Sequence, residues 1–96
     1  MRYVVSYDIT DDKRRRQVAR VCEDFGDRVQ YSVFECLLDQ AQLGDLIAKL
    51  SAELDETEDS VRVYPIHRDA EKNVVILGHG ELISDETWYI LSLIHI

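Results

Sequence analysis

The sequence from Arg2 to Arg16 reads RYVVSYDITDDKRRR, and the rest of the chain is interpreted around it. Its first half is mostly β-branched or aromatic, which predicts a buried strand that ends on the carboxylate of Asp8. Two acids, Asp11 and Asp12, and four consecutive cations follow. An acid at a strand tip beside a basic helix start fits metal-assisted phosphate chemistry. The same residues also fit a turn at Asp8 and a helix N-cap at Asp11 or Asp12.

Length and composition describe one ordinary globular domain of 96 residues, 46% hydrophobic and 31% charged. A core this small makes dimerisation an expectation. No apolar run approaches the roughly 18 residues of a membrane span, and the N-terminus lacks the regions of a signal peptide. Cys22 and Cys36 have no paired metal-ligand spacing, so we expect reduced core cysteines in a cytoplasmic protein.

The net charge of −8 argues against a general nucleic-acid binder, but the charge is unevenly distributed. Residues 1–38 hold seven cations and seven acids, whereas residues 39–96 hold four cations and twelve acids. Six of the cations fall between Lys13 and Arg28. A local patch of this kind can bind phosphates on an acidic protein, and it can equally be the solvated face of a helix.

Periodicity and turn signals predict strands at 2–8, 28–37, 60–66 and 73–77, and helices at 12–25 and 40–54. Gly26 is expected to end the first helix as a left-handed C-cap. Asp39 and Gln42 have the spacing of a capping box for the second. The order favours an α+β ferredoxin-like fold, an antiparallel sheet with two helices on one face. One strand is missing between the helices, and a bend that divides 28–37 into 30–34 and 35–38 would supply it.

Several polar positions have ordinary structural interpretations. Ser32 lies in a predicted strand and is either a neighbour of Asp8 or an edge residue. The acidic run at 55–59 is interpreted as a solvated connector, and His67 and His79 as surface residues.

We assign residues 1–80 to the domain and residues 81–91 to a segment that docks on a second copy or a partner. Residues 92–96 are a tail that is either disordered or a cloning remnant.

Three segments in order resemble the family of CRISPR-associated protein two: Tyr7-Asp8-Ile9, the basic run Lys13–Arg16 with Gly26 after it, and RVQYSVF at 28–34. The resemblance implies a ferredoxin-like protomer and a homodimer formed by packing two sheets together. It implies that two Asp8 carboxylates meet near the two-fold axis, where they would hold Mg²⁺ (or Mn²⁺) and act in catalysis. One or two carboxylates with water and phosphate are enough for Mg²⁺.

Further roles follow from the same resemblance. It implies that four arginines contact nucleic acid: Arg14, Arg15, Arg16 and Arg28. It also implies that three neighbours of Asp8 position groups at the site: Tyr7, Ser32 and Phe34. Trp88 and Tyr89 would contact the dimer partner or an integrase subunit. The implied function is CRISPR adaptation in a prokaryotic cytoplasm, either as an endonuclease on RNA or DNA or as a scaffold that holds spacer DNA without chemistry. A small-ligand module is a third hypothesis, which the basic run does not support.

Overall fold

The computed structural model describes residues 1–82, which form one antiparallel sheet with helices. In chain order the elements are β1 (Arg2–Asp8), α1 (Asp12–Phe25), β2 (Asp27–Gln30), β3 (Val33–Leu37), α2 (Gln40–Glu53), β4 (Ser60–Ile66) and the short α3 (Arg68–Glu71). The sheet order is β2-β3-β1-β4, with β1 between β3 and β4. This is the ferredoxin-like arrangement, so the predicted fold class is confirmed.

The predicted strand at 28–37 is wrong as a single element, because it is a hairpin. Strands β2 and β3 pair antiparallel, and Gln30 lies opposite Val33 with only Tyr31 and Ser32 between them. The segment is divided into two strands, as expected, but the division lies at residues 31–32 and not at 34–35. The hairpin supplies the strand that the sequence pattern lacked, and it places Ser32 in a turn.

Side chains of β1 alternate between two faces of the sheet, as the pleat requires. Tyr3, Val5 and Tyr7 are buried against the helices. Asp8 therefore lies on the opposite face, which we call the open face, with Val4 and Ser6. Phe34 and Cys36 of β3 are buried on the helix side with Val18, Cys22, Leu46 and Leu50 of the two helices.

Both long helices begin where the sequence predicts. The Asp11 carboxylate accepts from the Arg14 backbone N–H at 2.9 Å, and the capping box of Asp39 and Gln42 is complete. The left-handed C-cap expected at Gly26 is wrong, because its φ of −169° is extended backbone. Glycine is needed there for space, since a Cβ would clash with the Glu35 carbonyl oxygen and lie 2.6 Å from the Cys36 sulfur.

The strand predicted at 73–77 is wrong: within residues 1–82 this segment pairs with no strand. Val75 and Leu77 are 77% and 88% exposed, so these two apolar side chains are largely uncovered by the described residues. The segment before it contains α3. There Glu71 binds the buried Arg2 at 3.2 Å, and Glu35 binds the same guanidinium at 3.0 Å.

Several smaller predictions have clear outcomes. Cys22 and Cys36 are buried and unpaired, and His67 and His79 are exposed, as expected. Ile47 of α2 is apolar, but it is 47% exposed and lies outside the core. None of the helices that the structure describes is long and apolar enough to cross a bilayer.

Candidate nucleic-acid and metal site

Asp8 ends β1 on the open face, where it lies opposite Ser60 of β4 and is exposed. The hairpin turn approaches it from the other side, because the Tyr7 backbone N–H donates to the Ser32 carbonyl at 3.1 Å. A shallow depression of about 400 Å³ surrounds the carboxylate, and we call it the Asp8 concavity. Its lining residues are Tyr7, Asp8, Ile9, Thr10, Arg15, Tyr31 and Ser32.

A second depression, of about 330 Å³, lies next to the first and carries the positive charge. We call it the arginine concavity, and its lining residues are Tyr7, Asp12, Arg15, Arg16, Ala19, Arg28 and Tyr31. Tyr7, Arg15 and Tyr31 line both depressions. A chain of phosphates bound by the arginines would therefore pass close to Asp8.

The arginines of this site differ in how far other groups of the protein already bind their guanidinium groups. Arg15 donates to the Ile9 and Thr10 carbonyls at 3.2 and 3.3 Å and forms an ion pair with Asp12, which is the main cause of its raised pKa. Arg16 is exposed, and it has no ion pair within residues 1–82. Arg16 is therefore the cation of the concavity most available to a phosphate.

Arg28 is positioned by an aromatic ring and a backbone carbonyl. Its guanidinium carbon lies 5.1 Å from the Phe34 ring centroid, and its Nη1 donates to the Tyr31 carbonyl at 3.0 Å. Phe34 also stacks on Tyr7, with ring centroids 6.3 Å apart. Burial raises the pKa of the Tyr7 hydroxyl, and nearby Arg28 opposes that effect, so Tyr7 is a neutral hydrogen-bond donor at neutral pH. Phe34 is fully buried and supports the site without reaching a ligand.

Arg14 lies apart from the other three predicted arginines. Its side chain binds Asp59 and Glu58 in the loop before β4, with N···O distances of 2.8 and 3.0 Å. The acidic run at 55–59 is thus more than the solvated connector that its composition indicated, since the Asp59 side chain has no exposed surface. Arg14 is therefore already engaged by carboxylates, and it lines neither depression.

The remaining cations of α1 form an exposed stripe. Lys13, Arg16 and Arg20 recur at helical spacing and are exposed, and none has an ion pair among residues 1–82. They lie opposite the buried face of α1 that carries Val18 and Cys22. Arg16 belongs both to this stripe and to the arginine concavity, so the two surfaces are continuous.

A divalent metal would find only part of its ligands on one chain. In residues 1–82 no three His, Cys, Asp or Glu side chains form a group that could hold a metal ion. Asp8 offers one exposed carboxylate with Ser32 beside it. Mg²⁺ is commonly bound by one or two carboxylates with water and phosphate oxygens. The donor set of one chain therefore fits part of a Mg²⁺ site.

Sequence reasoning missed Tyr31 as a site residue. It was assigned to a strand, whereas it lies at the tip of the hairpin and is 71% exposed. The turn Tyr31-Ser32 contains no Gly, Asn or Asp, the residues that usually mark a two-residue hairpin, so no local signal was present. The predicted contact residues Trp88 and Tyr89 and the tail at 92–96 lie outside the described residues.

The fold and site define a small ferredoxin-like protein in which a strand-end carboxylate lies beside an arginine-lined depression. The family described as "CRISPR associated protein Cas2" matches residues 1–74. The chain belongs to the Cas2 family of CRISPR-associated proteins.

Individual relatives support this assignment. The "CRISPR-associated endoribonuclease Cas2 3" of Chloroflexus aurantiacus is 43% identical over 88 residues, which cover 92% of this chain and 95% of the relative. The crystal structure of Streptococcus pyogenes Cas2 aligns with a TM-score of 0.72 at 38% identity, covering 81% of this chain and 100% of that chain. A chain of a "Partial Cas6-RT-Cas1--Cas2 complex" aligns with a TM-score of 0.72 at 26% identity, covering 88% and 95% of the two chains.

Proposed function

We propose that this protein acts in CRISPR adaptation as a homodimer that binds nucleic acid and cleaves phosphodiester bonds with Mg²⁺ or Mn²⁺. Asp8 is its catalytic and metal-binding residue. The observation that carries the proposal is the position of Asp8, an exposed carboxylate on the open face beside the arginine concavity. The relative from Chloroflexus is named an endoribonuclease, which supports the reaction class.

Some residues of the site bind the ligand, and others position the binding groups. Arg16 and Arg28 hold phosphates next to Asp8, and Arg15 braces the loop of Ile9 and Thr10 that borders it. The two Asp8 carboxylates of the dimer hold the metal ion, with Ser32 at the edge of the site. When bound, the metal supplies a Lewis acid and an activated water. The chain's own groups fix the phosphate in place for attack.

Dimer formation has support in the surface of the described residues. The open face of the sheet is not covered by α1 or α2, and it includes Tyr64, Leu37 and Val33, of which Tyr64 and Leu37 are exposed. The apolar segment 74–77 is also exposed. Burial of such surface against a second copy is favourable, and two-fold symmetry brings identical residues together.

Hydrolysis of labelled RNA and DNA, each single-stranded and duplex, tests the proposal. The native protein is compared with Asp8→Asn in Mg²⁺, in Mn²⁺ and in a chelator. We expect cleavage by the native protein with metal only, and a rate for Asp8→Asn lower by about 100-fold or more, as when a metal site is disrupted. Asp45→Asn, which removes an exposed acid of α2, is the matched control and should cleave normally. Equal rates for the native protein and Asp8→Asn would contradict the nuclease proposal.

A non-catalytic scaffold is the second candidate, and one observation favours it. The residues that line the Asp8 concavity include no histidine or lysine that could act as a general base. The complex that contains a chain similar to this one also contains Cas1, which supports an integrase subunit as the partner. A scaffold would bind duplex DNA and the partner equally well as the native protein and as Asp8→Asn, with no cleavage by either. Loss of duplex binding in Asp8→Asn would contradict it.

A further inference from the structure

The hairpin tip presents an exposed aromatic ring on a fixed backbone. Tyr31 is 71% exposed, whereas Tyr3 and Tyr7 are buried. The Tyr31 carbonyl accepts from Arg28 Nη1 at 3.0 Å and from the Tyr7 hydroxyl at 3.4 Å. Two side chains thus hold the backbone beneath the ring. The ring offers a large surface that the fold does not use for its own core.

The ring lies between the two depressions of the site. Tyr31 borders the arginine concavity, with Arg16 and Arg28, and also the Asp8 concavity. Arg15 also lines both depressions together with Tyr31. A nucleic-acid strand that runs from the arginines to Asp8 would pass the shared border formed by Tyr7, Arg15 and Tyr31, of which Tyr31 has the most exposed ring.

A nucleobase and a tyrosine ring stack well when the base is free to leave its own helix. Every base has a π-face, so such stacking is tolerant of sequence, and exposed aromatics beside a cationic groove are typical of single-strand binding. Bases inside a duplex are stacked on one another and present only their edges in the grooves. The combination on this surface therefore selects a strand with at least one unpaired nucleotide.

We propose that Tyr31 is a stacking platform for an unpaired nucleobase, and that it is the residue by which this site distinguishes an unpaired nucleotide from a paired one. The inference rests on the proposed binding of nucleic acid, and it names a specificity-determining residue of that same site. The stacked base would fix the adjoining phosphate beside Asp8.

The test is binding of fluorescently labelled oligonucleotides, measured by anisotropy in a chelator so that no cleavage occurs. The ligands are one single-stranded DNA, the matching single-stranded RNA and a blunt DNA duplex of the same length. Tyr31→Ala should weaken single-strand binding by about 10-fold, and duplex binding by less than about 2-fold. Tyr31→Phe should bind like the native protein, because it keeps the ring. Ile47→Ala, which removes an exposed apolar side chain from α2, is the control and should change neither.

Salt dependence separates stacking from a general loss of affinity. Tyr31 is uncharged, so Tyr31→Ala should leave the dependence of affinity on salt unchanged, whereas Arg16→Ala should reduce that slope by about one unit on all ligands. Far-ultraviolet circular dichroism and a thermal melt confirm that each variant is folded. An equal loss on single strand and duplex, or no loss with Tyr31→Ala, would overturn the proposal, and so would a failure of the native protein to bind any single strand.

The outcomes also separate this inference from the nuclease proposal. If the native protein cleaves nothing but its single-strand binding depends on Tyr31, the nuclease proposal is wrong and the stacking proposal stands. If the native protein cleaves through Asp8 but Tyr31→Ala leaves single-strand binding unchanged, the stacking proposal is wrong and the nuclease proposal stands. A larger effect of Tyr31→Ala on one of the two single strands would identify whether Tyr31 stacks on DNA or on RNA.

Discussion

Arg14 binds both carboxylate oxygens of Asp59, with its Nε at 2.8 Å and its Nη2 at 3.3 Å. The pair joins the start of α1 to the loop before β4, two segments that are 45 residues apart in the chain. A planar guanidinium matched to a carboxylate in this way is a specific and directional contact. In this protein a basic run on one helix thus contains residues with two different purposes.

The first prediction separates the purposes of Arg14 and Arg16. Arg14→Ala should lower the melting temperature, because Asp59 would lose the partner of its covered carboxylate, and it should affect nucleic-acid binding far less than Arg16→Ala does. Arg16→Ala should leave the melting temperature nearly unchanged and weaken binding. Thermal melts and anisotropy titrations on both variants check this. Weaker binding with an unchanged melt in Arg14→Ala would show that this residue contacts the ligand directly.

The second prediction concerns acid stability. The pKa of Asp59 is lowered, first by hydrogen bonds from Arg14 and then by the Asp55 backbone N–H. A lowered folded-state pKa stabilises the fold above the unfolded value of about 3.9, and that stability is lost as the pH falls through the folded pKa. Asp59→Asn should therefore melt below the native protein at pH 7, and the difference should shrink as the pH falls below about 4.

Melting curves of the native protein and Asp59→Asn between pH 7 and pH 2 measure this convergence. Asp69→Asn is a suitable control, since Asp69 is exposed and its carboxylate lies 3.9 Å from the exposed ammonium of Lys72, the residue that follows α3. Its melting difference from the native protein should be small at every pH. A gap between the native protein and Asp59→Asn that stays constant down to pH 2 would exclude a charged Asp59 as the source.

Local signals in the sequence were enough to predict the helices and the end of β1. The capping box of Asp39 and Gln42 and the stripe of Val18 and Cys22 depend on neighbours along the chain, so periodicity finds them. Asp8 was identifiable because a strand ends on it. For elements of this kind, sequence and structure agree nearly to the residue.

Features that depend on distant contacts could not be predicted. The partners of Arg14 are brought to it by the fold, so the basic run appeared uniform in the sequence. The turn at Tyr31 and Ser32 contains no Gly, Asn or Asp, and the strand pairing that forces it is set by β1 on the far side of β3. The segment at 73–77 has the composition of a strand, but a strand forms only where an edge accepts it.

The third prediction uses two glycines with opposite surroundings. Gly26→Ala should destabilise the protein by about 1–3 kcal/mol or more, since the new methyl group would meet the backbone of Glu35 and Cys36. Gly44→Ala should instead stabilise it by about 0.5–1 kcal/mol, because Gly44 is inside α2 with no neighbour within 4 Å of the added carbon. Urea unfolding of both variants measures the free energies. A neutral effect of Gly26→Ala would mean that β2 and β3 yield easily at this contact.

The fourth prediction concerns the proposed dimer and the exposed segment at 74–77. Leu77 and Val75 are 88% and 77% exposed, and burial of each side chain is worth about 1.5–3 kcal/mol. If a second copy covers them, Val75→Glu with Leu77→Glu should raise the dimer dissociation constant by about 100-fold or more. Sedimentation velocity over a range of protein concentrations measures the shift from dimer to monomer. Ile47→Glu places the same charge on the helix layer and should sediment as the native protein does, whereas equal dimerisation of all three proteins would show that this segment lies outside the interface.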